Sequence, residues 1–216
     1  MRDIPVFTTE NGVASLTLKQ IPYTGAAYIK IQATAAPQAF LQECRDFCRM
    51  AGAENIYAAG HAVAEAYPLH TRVLQMTAAR QSLPDTDTAL MPVTESTLEE
   101  WRQLYNRRMA GVDNAAYMTK EDARQMLARG DGYFVHRGDS LLGIGVVSED
   151  RLEAIASAIP GAGRDVVLAL CHGIFAERVV LEVASTNEKA IRLYENLGFL
   201  KIGEVSRWYR VDQKSM

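Results

Sequence analysis

The segment after the apolar run Val179–Val183 holds the residues best suited to chemistry. Asn187 follows that run after a short turn, and Tyr194 stands two helical turns further on. An amide side chain offers both a hydrogen-bond donor and an acceptor, and a phenol can give a proton to a leaving group. The segment therefore predicts a strand end that presents an asparagine and a helix that presents a tyrosine. A structural interpretation also fits each residue: Asn187 as a helix cap and Tyr194 as a packing residue.

Local signals indicate the bounds of that helix. Apolar side chains recur at the spacing of one helix face, so a helix is predicted over 187–197. Ser185 and Glu188 have the spacing of a capping box, and Asn187 is itself a suitable cap. Gly198 stands where the helix ends, because a left-handed residue after a helix costs glycine nothing.

A second chemical feature is a glycine-containing turn between a predicted strand and a predicted helix upstream. Gly161 and Gly163 stand in this turn. Glycines let backbone N–H groups converge, and a helix N-terminus adds positive potential, so the turn predicts a phosphate site. Arg164 adds a positive charge there, and Asp165 opposes it. Taken alone, the same residues also fit an ordinary strand–helix turn.

Together these features resemble the GNAT N-acetyltransferase superfamily. Its signature in this region is an asparagine after the fifth strand, followed by Ala-x-x-Leu-Tyr-x-x-x-Gly-Phe. The matching residues here are Asn187, Ala190, Leu193, Tyr194, Gly198 and Phe199. The resemblance covers roughly residues 88–211 and implies a mixed α/β sheet flanked by helices, with acetyl-CoA as co-substrate and no metal.

The resemblance also implies which residues contact coenzyme A. The family has a Gln/Arg-x-x-Gly-x-Gly/Ala turn at the pyrophosphate, and this chain departs from it at the first position, which is Ala158. Asn187 matches the asparagine that hydrogen-bonds near the pantetheine arm. The residues expected to bind the cofactor are Ala158, Ile159, Gly161, Ala162, Gly163, Arg164, Asn187 and Tyr194.

The implied chemistry is direct acetyl transfer in a ternary complex. Tyr194 matches the family tyrosine that reaches the thioester sulfur and acts as general acid. Glu153 is the expected general base, and Glu182 or a base acting through water are alternatives. Both carboxylates also fit solvated strand positions. A surface or packing role is preferred for His136 and His172. Cys171 is not expected to be a nucleophile, because no catalytic triad accompanies it.

The acceptor site of the family is built from the first helices, the hairpin loops and the last strands. Aromatic and basic residues fall in these regions, and they suit either an amine that bears a carboxylate or ordinary packing. They are Trp101, Tyr105, Arg107, Arg108, Tyr117, Trp208 and Tyr209. The sequence therefore leaves open whether the acceptor is a small-molecule amine, a peptide N-terminus or a lysine.

Composition excludes several other classes of protein. The net charge is −3 and no long basic run occurs, which argues against nucleic acid as a partner. No apolar run approaches the length of a membrane span, and no signal peptide is expected at the N-terminus. Cys44, Cys48 and Cys171 are an odd number, and they are expected to be reduced and mostly buried in a cytoplasmic protein. A homodimer is left open.

The order of predicted elements occurs twice along the chain. The order strand, strand, helix, strand, helix, strand is predicted in the first third and again near the C-terminus. We interpret residues 1–85 as a partial, degenerate GNAT-like segment and residues 86–216 as the full acyltransferase domain. At the turn that corresponds to Asn187, the first copy has Gly60 and His61, so it is expected not to bind cofactor.

Three functions are compatible with these patterns. The leading hypothesis is an acetyl-CoA-dependent N-acetyltransferase that acts on a primary amine. The alternative is a non-catalytic acyl-CoA-binding or regulatory module with the same fold, which the departure at Ala158 motivates. An unrelated α/β domain is the third interpretation.

Overall fold

The computed structural model describes residues 5–212 of the 216-residue chain. The strands in this range are β1 Val6–Thr9, β2 Gly12–Thr17, β3 Ala26–Thr34, β4 Asn55–Ala59, β5 Leu69–Ala79, β6 Ala89–Pro92, β7 Gly132–Arg137, β8 Ser140–Ser148, β9 Arg151–Ser157, β10 Arg178–Ala184 and β11 Leu200–Arg210. The α-helices are α1 Ile21–Thr24, α2 Pro37–Met50, α3 Leu98–Met109, α4 Lys120–Arg129, α5 Gly163–His172 and α6 Glu188–Asn196. Short 3₁₀ helices cover Ala62–Ala66 and Arg80–Ser82. The predicted mixed α/β class is confirmed.

The described chain divides into two compact units. Unit 1 comprises residues 5–73 and 204–212, and unit 2 comprises Leu74–Gly203. The division falls inside β5 and inside β11, so each of these strands contributes residues to both units. The predicted segments 1–85 and 86–216 rest on a sequence repeat, and that repeat stays a prediction.

Unit 1 is a mixed sheet covered by α2. Strands β1, β2 and β3 are antiparallel neighbours, and β4 runs parallel to β3 after the crossover through α2. The end of β11 completes this sheet antiparallel to β4, with Tyr209 opposite Ala58. Helix α2 buries Phe40, Leu41 and Cys44 in the core of the unit. The helix begins at a proline, as the sequence predicts, because a first-turn residue needs no N–H.

Unit 2 contains an antiparallel meander followed by a parallel crossover. Strands β6, β7, β8 and β9 pair antiparallel in that order, and α5 links β9 to the parallel strand β10. Strand β5 lies beside β10. Helix α5 is buried from Val166 to Cys171 in the main core of the unit. A second core forms around Trp101 of α3 and Met126 of α4.

The helix predicted over 187–197 is present as α6, which covers Glu188–Asn196. Helix α4 begins with a capping box, since Thr119 accepts from the backbone N–H of Asp122 and the Asp122 carboxylate accepts from that of Thr119. No sequence pattern predicts β1 or α1, which are four residues each. Elements this short carry too few residues to display a periodicity.

The three cysteines are buried and unpaired, as predicted. Burial raises the pKa of the Cys44 thiol to about 12 and that of Cys48 to about 11, so both are protonated at neutral pH. Within residues 5–212, no helix has the length and apolar composition that crossing a membrane requires.

Candidate functional site

The parallel strands β9 and β10 of unit 2 separate soon after they meet. In the described chain their ladder holds two residue pairs, Arg151 with Val180 and Leu152 with Leu181. Both strands continue beyond these pairs, to Ser157 and to Ala184. The backbone groups that a parallel ladder would join are therefore not joined to each other there. An extended ligand with amide groups can occupy such a gap and pair with either strand.

A β-bulge in β9 explains why the strands separate at this point. On β8, Val146 lies opposite Ala154 and Val147 lies opposite Leu152, so Glu153 is the extra residue of β9. A bulge bends its strand and increases the local twist. Glu153 is exposed to solvent at the start of the gap. Its predicted role as general base stays a prediction.

The turn after β9 leads into a helix start that no side chain caps. Residues 158–162 connect β9 to α5, and Gly161 has a φ of +84°, which favours glycine. Ala162 is the N-cap and makes no side-chain hydrogen bond to the helix. The amides of the first turn have no acceptor within the helix. This helix end has the geometry of an anion site.

Two arginines and three aspartates lie at the same helix end. Together with Thr86 they line a cavity of about 430 Å³. The guanidinium of Arg137 is held 2.8 Å from Asp87 and 3.1 Å from Asp165, and these hydrogen bonds raise the pKa of Arg137 above its ordinary value. Arg164 is half exposed and lies 4.0 Å from Asp165. Arg164 is therefore less firmly paired than Arg137 and more accessible to an anion.

A third arginine reaches the turn from α3. Arg108 donates from Nη2 to the backbone carbonyl of Ala158. Ala158 is the position at which the family pattern has Gln or Arg. The sequence pattern puts Arg108 in the acceptor region, whereas the structure puts its guanidinium at the glycine turn. No spacing in the sequence indicates this contact, because α3 and the turn are 50 positions apart.

The loop between α3 and α4 contacts the turn that follows β10, the second strand of the gap. Asp113 accepts a hydrogen bond of 2.6 Å from Thr186, which follows β10. The next residue, Asn114, has a φ of +59°. Among the described residues, neither amide atom of its side chain has a hydrogen-bond partner, although both atoms are buried. A buried amide without hydrogen-bond partners costs free energy unless a bound ligand supplies those partners.

Asn187 caps the helix that follows β10. Its Oδ1 accepts from the backbone N–H of Ala190 at 3.3 Å. Of the two predicted caps, the structure therefore uses Asn187, and the Glu188 carboxylate instead pairs with Arg192. The cap uses only the carbonyl end of the Asn187 amide. The predicted contact of Asn187 with the pantetheine arm stays a prediction.

Tyr194 is buried in the main core of unit 2. It is 8% exposed, and its ring centroid lies 5.9 Å from that of Phe199. Burial, with a smaller contribution from neighbouring Cys171, raises the pKa of Tyr194 to about 12. The phenol is therefore protonated at neutral pH, as a general acid must be. The adjacent Leu193 lies 3.1 Å from the point where Gly163 would carry a Cβ, so α6 contacts the start of α5.

Several other candidate residues have structural roles. Glu182 pairs with Arg151 at 3.3 Å, and the ring of His172 lies 3.1 Å from the carbonyl of Pro84. Burial raises the pKa of Cys171 to about 12, which leaves no reactive thiolate. The structural interpretation preferred for His172 agrees with this contact.

The predicted acceptor residues are divided between the two units. Trp101 is fully buried and donates to the carbonyl of Tyr133 at 3.0 Å. Burial raises the pKa of Tyr105 to about 12. Trp208 and Tyr209 belong to unit 1, where Trp208 packs edge-on against Tyr28. Among residues 5–212, no cluster of three His, Cys, Asp or Glu side chains has the arrangement of a metal site.

Comparisons with known proteins identify the fold. No protein-family model matches the chain. A stretch of 79 residues, 35% of the chain, is 35% identical to N-alpha-acetyltransferase 30 of Schizosaccharomyces pombe. The chain spans about half the length of this curated relative.

The similar solved structures cover nearly the whole chain. A GCN5-related N-acetyltransferase from Sphaerobacter thermophilus matches with a TM-score of 0.62 at 10% identity, over 94% of this chain and 78% of that one. A functionally unknown conserved protein from Staphylococcus epidermidis matches with a TM-score of 0.61 at 10% identity, over 99% and 96%. A tandem GNAT protein from the clavulanic acid biosynthesis pathway gives 0.56 at 12% identity, over 95% and 80%. The chain has the GNAT fold, as the resemblance implied.

Proposed function

We propose that unit 2 transfers an acetyl group from acetyl-CoA to a primary amine. The observation that carries this proposal is the gap between β9 and β10, which ends at the uncapped N-terminus of α5. The gap suits an extended pantetheine arm, and the helix end suits a pyrophosphate. The sequence similarity to an N-alpha-acetyltransferase and the GNAT fold support the same chemistry.

The pyrophosphate would bind at the turn formed by residues 158–163. Ala158, Ile159, Gly161 and Ala162 shape this turn, and the amides of Gly163 and Arg164 donate to phosphate oxygens. The side chain of Arg164 adds a positive charge. Arg108, already at the carbonyl of Ala158, supplies from α3 the guanidinium that the sequence pattern lacks at that position. Charge-assisted hydrogen bonds of this kind are stronger than neutral ones.

Two asparagines would recognise the amide groups of the pantetheine arm. Asn114 has both its donor and its acceptor buried and unpaired among the described residues. A pantetheine amide offers one of each and therefore complements it. Asn187 keeps its Nδ2 for the ligand while its Oδ1 caps α6.

Transfer would proceed in one displacement, without a covalent enzyme intermediate. The neutral amine attacks the thioester carbonyl carbon, the new C–N bond forms and the C–S bond breaks. The amine nitrogen gives its proton to Glu153, directly or through water. Tyr194 gives its proton to the departing thiolate. With a pKa of about 12, Tyr194 still carries that proton at neutral pH and is able to donate it.

The acceptor is proposed to be a small-molecule amine, a peptide N-terminus or a lysine. We also propose a cytoplasmic location, because three unpaired, buried cysteines suit a reducing compartment.

A second candidate function is acyl-CoA binding without catalysis. The carboxylates of Asp87 and Asp165 favour it, because they neutralise Arg137 beside the proposed phosphate site. They would lower the affinity for coenzyme A. Ala158 would lower it further, because it stands where the family has Gln or Arg at the first position of the turn.

Two measurements separate these functions. Calorimetric titration with acetyl-CoA tests binding, and thiol release over a panel of amines and peptides tests turnover. The proposed transferase requires both saturable binding and thiol release that depends on the amine. Binding without turnover on any amine favours the second candidate, and the absence of binding would contradict both.

A further inference from the structure

Unit 1 contains a cavity at the start of its own crossover helix. The cavity has a volume of about 430 Å³, within the usual range for ligand pockets, and lies between α2 and the 3₁₀ helix Ala62–Ala66. Leu41 and Val63 contribute apolar walls, while Gln38, His61 and Tyr67 contribute polar groups. None of the lining residues carries a carboxylate.

A buried arginine contacts Tyr67, one of the residues that line this cavity. Arg45 is 5% exposed, and its guanidinium lies 5.6 Å from the ring centroid of Tyr67. Its Nη1 donates to Gln42 at 3.1 Å and to the hydroxyl of Tyr67 at 3.2 Å. In the part of the chain that the structure describes, its Nε has no partner and no carboxylate pairs with it. A buried charge without a counter-ion is strongly unfavourable, so an anion nearby would stabilise it.

The hydrogen bonds that Tyr67 and His61 already make also favour an anion in the cavity. The Tyr67 oxygen accepts from Arg45, so the hydroxyl proton is free to point into the cavity. His61 accepts from the backbone N–H of Val63 through Nδ1 at 3.1 Å. A neutral imidazole in this arrangement carries its proton on Nε2, where it is a donor. The lining of the cavity therefore combines hydrogen-bond donors with apolar groups.

We propose that this cavity binds a small monocarboxylate with a short apolar tail. The carboxylate accepts hydrogen bonds from Tyr67 and His61 and neutralises Arg45, and the tail contacts Leu41 and Val63. A single buried guanidinium matches a single negative charge. The apolar walls disfavour inorganic phosphate, whose further oxygens would be left without donors.

The test is calorimetric titration of the full chain with hexanoate, hexanamide and inorganic phosphate. Hexanoate is expected to bind saturably, and hexanamide, which has the same tail without the charge, is expected not to bind. Tyr67→Phe keeps the ring beside Arg45 and removes the hydroxyl, so hexanoate should bind about tenfold more weakly. Ala66→Phe fills the cavity from an exposed lining position and should abolish binding.

Ala39→Phe is the matched control, because Ala39 is an exposed residue of α2 that does not line the cavity. It should bind hexanoate as the wild type does. Circular dichroism confirms that each variant is folded before titration. The proposal is overturned if hexanoate does not bind the folded wild type, if hexanamide or phosphate binds as tightly, or if Ala66→Phe leaves binding unchanged.

Discussion

The two parallel crossovers of the molecule, β3–α2–β4 and β9–α5–β10, have the same topology and opposite outcomes. In unit 1, β3 and β4 pair through five residue pairs, from Ala26 with Asn55 to Lys30 with Ala59. In unit 2, β9 and β10 pair through two. In unit 1 the two strands pair along the full length of β4, and we call this crossover closed. In unit 2 the strands separate after two pairs, and we call this crossover open.

The position of a bulge accounts for much of this difference. Strand β3 also has a bulge, at Gln32, because Val13 lies opposite Ala33 and Ala14 lies opposite Ile31. That bulge comes after the stretch that pairs with β4, whereas Glu153 interrupts β9 at its third residue. In this molecule the bulge that falls inside the length to be paired is the one that accompanies the separation of the strands.

The turns after the strands reinforce the contrast. Gly60, after β4, lies so close to β3 that a Cβ would stand 2.3 Å from the carbonyl oxygen of Ile31. At the corresponding place in unit 2, Asn187 caps α6. Two residues, Ala35 and Ala36, lead into α2, whereas five lead into α5. In unit 1 the backbone of the turn at Gly60 packs against β3 and closes the crossover. In unit 2 the strands leave a gap, and the polar residue Asn187 follows one of them.

The largest effect is expected from disrupting the closed crossover. Gly60→Val places a branched side chain against the carbonyl of Ile31 at a φ of +92°, so unit 1 should lose about 3 kcal/mol of stability. Urea denaturation measures the loss. Gly203→Val is the control, because open space surrounds that position, and it should change stability by less than about 0.5 kcal/mol. Equal effects of the two variants would refute the close packing of the turn.

In the open crossover, Tyr194→Phe should lower turnover about 100-fold while leaving acetyl-CoA affinity unchanged. The phenyl ring keeps the packing against Phe199, so only the proton donor is lost. Steady-state thiol release measures turnover, and titration measures affinity. Tyr105→Phe, which removes another buried hydroxyl of unit 2, is the matched control. Unchanged turnover in Tyr194→Phe would assign Tyr194 to packing alone.

The same variant should alter stability at alkaline pH. Burial raises the pKa of Tyr194 from 10.0 to about 12, so its contribution is fully present below pH 10 and is lost as pH rises towards 12. Over that range the wild type should lose about 2 kcal/mol more than Tyr194→Phe. Urea midpoints at increasing pH measure the difference. Parallel curves for the two proteins would show that the hydroxyl is solvated.

A smaller effect is expected at the glycine turn. Arg108→Met removes the guanidinium at the carbonyl of Ala158 and should weaken acetyl-CoA binding about tenfold. Arg107→Met removes the exposed charge of the preceding residue and should leave the affinity for acetyl-CoA unchanged. It therefore controls for the loss of one positive charge. Similar losses in both variants would indicate general electrostatic attraction instead of a contact at the turn.

The smallest effect is expected from Asn114→Gly, and it distinguishes a ligand-binding residue from a structural one. Glycine removes the unpaired buried amide and accepts the φ of +59°, so stability should stay the same or rise by up to about 1 kcal/mol. Acetyl-CoA should nevertheless bind more weakly. Thermal unfolding and titration measure the two quantities. A loss of stability with unchanged affinity would give Asn114 a purely structural role.

The sequence predicted the elements of the open crossover but not its opening. Local signals determine helix bounds, which is why the sequence predicts the asparagine cap of α6. The bulge at Glu153 depends on the register between two strands, and no residue type specifies it. Arg108 and Asn114 acquire their positions through packing of distant segments. The resemblance identified the GNAT fold because its fixed residues lie on one continuous segment.

The way β5 and β11 are shared has a consequence for synthesis of the chain. The sheet of unit 1 is completed by residues at the end of β11, so it stays unfinished until β11 has left the ribosome. Until then β4 has a free edge, and free edges promote aggregation. For the same reason, a recombinant fragment that starts at residue 86 would remove β5 and leave the edge of β10 uncovered. Expression of residues 1–216 together avoids both exposed edges.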